Sequence, residues 1–102
     1  MEYITYLAEQ MDDELDGAEE YAHAACKHKD VRPTYAKHLH DMSMDELRHA
    51  QYINDEARRY IKEHTETPEL RHVWDFVTRQ SDKRIERVNE MLQRFREDIA
   101  RQ

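Results

Sequence analysis

Chain breakers are almost absent from this sequence: one glycine and two prolines in 102 residues. A chain with so few turning points folds into long, regular pieces. The prolines, Pro33 and Pro68, divide it into three stretches of about thirty residues each. Within every stretch apolar residues recur at steps of three and four, the period of an amphipathic helix. The first stripe runs Ile4, Leu7, Met11, Ala18, Tyr21, Ala25, and the second Tyr35, Leu39, Met42, Ile53, Ala57, Tyr60. The third carries Leu70, Val73, Trp74, Val77, Ile85, Val88, Leu92, Phe95 and Ile99, interrupted by a polar gap from Gln80 to Arg84.

The expected fold class is all-α: helices over about 3–29, 33–64 and 68–100, forming an antiparallel hairpin plus a third long helix in a single domain, 1–102. Asp30-Val31-Arg32-Pro33 makes the first break, with Pro33 in the opening turn of the second helix. At the second break Thr67 is the expected N-cap and Pro68 the first helical residue. Gly17 lies inside the first helix, where glycine costs about 1 kcal/mol relative to alanine; a close helix–helix contact would justify it.

Two stripes become ionisable near their middle. Position 14 of the first is Glu14, and positions 46 and 49 of the second are Glu46 and His49. A charge on a core-facing stripe is costly unless it is paired or bound to a metal. If the helices pack antiparallel about residue 31, residue 14 lies 17 positions before the break and residue 48 lies 17 after it. The three side chains then converge, and Glu46 and His49, three apart, share one helix face. Carboxylate plus imidazole suits Fe, Mn or Zn, whereas Ca²⁺ favours oxygen alone.

Glu-x-x-His by itself is a weak signal, because 13 Glu and seven His give about one chance occurrence in this length. Three occur, and helical phase separates them. Glu20/His23 falls mostly off the first stripe, and Glu69/His72 sits on the opening turn of the third helix, where Glu69 serves the helix dipole. Only Glu46/His49 lies on a stripe opposite a second glutamate.

A Glu on one helix and Glu-x-x-His on its partner is half of the ligand set of the ferritin-like di-iron bundles. Glu14-Leu15-Asp16-Gly17-Ala18-Glu19-Glu20-Tyr21 resembles the first-helix motif of rubrerythrins and bacterioferritins: a metal-binding Glu, small residues, and a Tyr seven positions on. Met44-Asp45-Glu46-Leu47-Arg48-His49-Ala50 resembles their second-helix motif, and the likeness covers about residues 3–60. No fourth helix with another Glu-x-x-His follows, so the chain is similar to a halved, encapsulated-ferritin-like member of that superfamily. The resemblance implies a ferritin-like four-helix core completed by dimerisation. It also implies a di-iron site at the homodimer interface, formed by Glu14, Glu46 and His49 of each copy, with ferroxidase activity and those same residues as its catalytic groups. Mn or Zn are alternative metals, and higher homo-oligomers fit equally. Docking inside an encapsulin shell would need a cargo peptide, and the final Arg-Glu-Asp-Ile-Ala-Arg-Gln reads instead as helix.

The competing expectation is a metal-free helical assembly or interaction protein, of the kind phages encode, keeping the polar cluster as a structural network. Tyr21 is expected as a core aromatic rather than an electron relay, and Glu20, Asp45 and Asp13 as either an outer shell and ion entry path or a solvated acidic face. His23, His28, His38, His40, His64 and His72 are expected at the surface, and Cys26 in a core or interface position. A formal charge of −7 argues against nucleic acid and anionic membranes as partners and suits a cation binder. No apolar run approaches membrane-spanning length and no leader is apparent, so the expected location is cytoplasmic.

Overall fold

The two arms of the hairpin both supply small residues to the seam between them. The computed structural model describes Met1–Gln102. It contains α1 (Glu2–His28), α2 (Pro33–Glu63) and α3 (Glu69–Ala100), with no strand. α1 buries Ala18, Ala22 and Ala25, and α2 buries Ala36, Ser43, Ala50 and Ala57. Side chains this short let two helices approach closely. The hydroxyl of Ser43, fully buried, donates to the Ala18 carbonyl at 2.7 Å, so the contact leaves no orphaned polar group.

The breaks fall within a residue of expectation. Pro33 occupies the opening turn of α2 and Arg32 precedes it as N-cap. The second break differs in detail: α3 starts at Glu69, Pro68 is its N-cap residue, and the Thr67 side chain caps nothing. Instead the Leu70 and Arg71 amides bond the Thr67 and Pro68 carbonyls, each at 3.2 Å, a tight opening turn that leaves no place for a side-chain cap.

Two reversals send α3 back parallel to α1. Three apolar clusters follow one another along the length: Trp74 and Leu70 among Ile4, Leu7 and Met11; Val88 and Leu92 against Ala18 and Ala22; Phe95 with Ala25, Ala36 and Leu39. Trp74 is wholly buried, and its Nε1–H donates to Asn54 Oδ1 at 2.8 Å. Tyr35, placed on the apolar stripe of α2 by its spacing, is exposed instead, because the buried stripe starts one position later, at Ala36, and continues through Leu39 and Ser43. The molecule is a rod of 56 × 17 × 15 Å, and only 19 of its 102 residues are buried, a thin core for three long helices.

The polar gap in the stripe of α3 has a structural use. Ser81 turns inward, and Arg84 reaches Asp12, Asp16 and Glu19 of α1. α1 bears eight acidic residues and one lysine, so a cation from α3 is what its outer face requires. Asp12 and Asp16 are largely exposed, and ion pairs there contribute little. The bond to half-buried Glu19, at 2.9 Å, carries most of the effect. Replacing Arg84→Gln is expected to lower the free energy of unfolding by about 1–2 kcal/mol. In denaturant titrations at low and high salt, the parent should also lose more stability with salt than the variant.

Candidate metal centre

Helical phase decides which acidic residues of α1 face which neighbour. Asp12, Asp16 and Glu19 point to α3, while Glu14 and Gly17, about a quarter-turn or more around the helix, point across the seam to α2. Opposite them α2 presents Glu46 and His49. Glu14, Glu46 and His49 converge as expected, each offering one donor atom within 4.8 Å of the others. They do so on the open flank of the hairpin away from α3 rather than on a core-facing stripe, because the buried face of α2 runs through Ser43, Ala50 and Ala57. His49 Nδ1 lies 3.2 Å from Glu14 Oε2 and 3.8 Å from Glu46 Oε1.

Those separations are what a single transition-metal ion asks of its ligands. With metal–donor bonds of about 2.0–2.2 Å, neighbouring ligand atoms stand roughly 3.0–3.4 Å apart and opposite ones about 4.2 Å. Small rotations of two glutamate side chains span the remaining difference. The donor set is two carboxylate oxygens and one imidazole nitrogen, apt for Fe²⁺, Mn²⁺ or Zn²⁺. Three protein ligands leave the coordination sphere open on one side. That side faces outward: both glutamate side chains are half-buried, whereas His49 is 51% exposed.

Gly17 is explained here. A Cβ at that position would stand 2.9 Å from Glu46 Oε2 and 3.3 Å from Glu46 Cδ. The close contact expected from a mid-helix glycine is therefore with the glutamate side chain, which lies across the bare backbone of α1. Glycine at 17 lets the Glu46 carboxylate sit beside Glu14.

Two carboxylates so close do not both ionise readily. A hydrogen bond to Glu14, then burial, then the Glu14 charge push Glu46 up to about 7 from the ordinary 4.5, with His49 pulling weakly the other way. Without an ion the pair shares a proton. A divalent cation removes the repulsion that keeps the proton there, so metal binding and loss of that proton are coupled.

The remaining sequence candidates divide. Glu20, His23, Glu69 and His72 are exposed and join no cluster of ligands. Tyr21 packs half-buried against the third apolar cluster, and Cys26 does likewise, its thiol 3.6 Å from the Met91 carbonyl. Asp13 is exposed, and Asp45 pairs with Arg48. The uniform surface assignment of the histidines needs correction. His23, His38 and His72 are exposed, but His28 and His64 are half-buried and His40 is buried. His64 stacks on Tyr60 with ring centroids 4.0 Å apart, and His40 stacks on Phe95 at 5.2 Å. An imidazole that covers a partner's ring cannot be told from a solvated one until the partner is placed. Sequence reasoning also missed Ser43 and Arg84, although alanines at 18, 22 and 25 signalled a tight seam.

Comparison with protein-family models, curated proteins and solved structures returns no match.

Two measurements follow from this geometry. Because the folded protein holds a proton on Glu46 that the unfolded chain has released, metal-free stability is greatest below about pH 4.5 as far as this group decides it. That contribution falls as pH rises through about 7. Melting temperatures of metal-free parent and Glu46→Gln protein should show that decline in the parent alone. Gly17→Ala gains helix propensity of about 1 kcal/mol. The added methyl meets only the movable end of Glu46. Thermal stability should therefore hold or rise while affinity for Zn²⁺ or Mn²⁺ drops about tenfold or more, measured by calorimetry.

Proposed function

We propose that this chain is a ferritin-like metal-binding protein in which Glu14, Glu46 and His49 hold one iron ion. A second copy, related by a two-fold axis, would bring an identical triplet alongside to form a dinuclear site. The observation that carries this reading is the convergence of those three donors, with Gly17 cleared of a side chain so that Glu46 can join them. The open, outward side of the triplet supports a shared site, since an isologous interface sets the same residues opposite themselves. The thin core of the single chain supports association as well. Its motif resemblance to rubrerythrins and bacterioferritins points to iron among the metals the donors suit.

Within such a dimer the residues have separate tasks. Glu14 and Glu46 neutralise the cations, and Glu46 gives up its proton as the ion enters. His49 must present an unprotonated Nδ1 to the ion, which places its remaining hydrogen on Nε2, toward solvent or the second copy. Iron as substrate would be oxidised there: two Fe²⁺ each lose one electron to O₂, which with two protons leaves as hydrogen peroxide. Metal binding is the primary reading, and ferroxidase activity is the chemistry a paired site adds.

A second reading has its own support. Every buried side-chain nitrogen and oxygen already has a partner, and the triplet is hydrogen-bonded within itself, so the cluster is also a complete polar network for a metal-free assembly protein. Iron content after anaerobic loading, with mass by light scattering, separates the two. The metal reading expects one iron per chain in a dimer or an even multiple of chains, and at least a hundredfold weaker Fe²⁺ binding in Glu46→Ala/His49→Ala. Unchanged Fe²⁺ affinity in that double variant overturns it, and an oligomer that is metal-free and indifferent to chelator establishes the structural role.

A further inference from the structure

On the opposite side of α2 from Glu46 and His49, a groove of about 520 Å³ separates α2 from α3. This size is within the range of small-molecule sites. Its floor is apolar, made by Leu47, Ile85 and Leu92, and the exposed thioether of Met44 forms part of the rim. The groove is bounded on α2 by His40 and Gln51 and on α3 by Ile85 and Arg96. Eleven helical steps on each side make it about 16 Å long, the length of an extended chain of roughly twelve carbons.

Its unpaired charge is at one end, and the uncharged Asn89 and Gln51 are further polar residues along it. Because α2 and α3 are antiparallel, His40 and Arg96 share one end, while Gln51 and Ile85 share the other. In a chain with 23 acidic residues, none lines this groove. Arg48, along one wall, is neutralised by Asp45. Arg96 has no carboxylate partner; its Nη1 donates instead to His40 Nε2 at 2.9 Å. Arginine has only donors, so that His40 nitrogen accepts, and the ring hydrogen sits on Nδ1, donating to Asp41 Oδ1 at 2.9 Å. His40 is itself buried and stacked on Phe95. The imidazole thus braces the guanidinium at the mouth of the groove, with the other N–H donors of Arg96 left for an anion.

We propose that this groove binds a straight-chain carboxylic acid of the fatty-acid class, its head on Arg96 beside His40 and its tail along Leu92, Leu47 and Ile85. A carboxylate meets a guanidinium in a two-pronged, charge-assisted contact, and the tail removes the apolar floor from water. The unpaired cation at one end suits a single anionic head, and the apolar floor beyond it suits a tail.

Calorimetric titration of the full chain with dodecanoate, held below its micelle concentration and paired with amide NMR shifts, tests this. The expected result is saturable binding of one molecule per chain, with shifts centred on residues 40–51 and 85–96. Affinity should rise up to about fourfold per buried CH₂ from octanoate to dodecanoate. Arg96→Gln should weaken dodecanoate about tenfold without affecting dodecanol. Arg94→Gln, an exposed change outside the groove, should leave binding unaltered. The proposal is overturned by non-saturating binding, by shifts centred on another face, or by dodecanol binding as tightly as dodecanoate. Equal effects of the Arg94 and Arg96 substitutions also overturn it. Glu46→Ala tests the metal reading on the other side of α2, so the two ideas fail independently.

Discussion

Everything in this molecule hangs on how closely α1 and α2 can approach. Ala18, Ala22 and Ala25 meet a facing helix whose seam is built from Ala36, Ser43, Ala50 and Ala57, and the Ser43–Ala18 hydrogen bond ties the two backbones across the contact. At that spacing a full-length side chain on both sides of a level would clash, so a long residue on one helix needs a short one opposite. Glu46 over Gly17 is that complementarity put to chemical use. Wider helix spacing would leave Glu14, Glu46 and His49 as three unrelated surface groups.

The same closeness sets the electrostatics. α1 is strongly acidic, and its charges divide by helical phase into two sets with different fates. Asp12, Asp16 and Glu19 are met by Arg84 from α3 and become structural. Glu14 meets another carboxylate, and its hydrogen bond, the burial and its charge raise the Glu46 pKa against the weaker opposing pull of His49. The bundle thus answers one acidic set with arginine and sets the other against a second carboxylate and a histidine. His49, at the rim of that second set, is exposed.

The thin core has a further consequence. Each helix buries a narrow stripe, so the two hairpin sides remain distinct surfaces: the ionisable seam on one, the α2–α3 groove on the other. Their polar elements differ in kind. The seam brings acceptors together, whereas the groove presents the donors of Arg96, held in place by the accepting Nε2 of His40. Thus α2 presents opposite chemistry on its two flanks within a few turns of helix.

Much of this was legible in the sequence. Three long helices, their boundaries and the antiparallel hairpin follow from scarce breakers and from apolar steps of three and four, because helix formation and amphipathic burial are governed by local spacing. The approach of Glu14 to Glu46 and His49 follows too, since a short connection fixes the register of two antiparallel helices by counting. The side chain over Gly17, the inward turn of Ser81, the Arg84 clamp and the burial of His40 do not follow, for each depends on where α3 or the facing helix lies. A polar residue's burial is set by a partner distant in sequence, and only the tertiary structure supplies that partner.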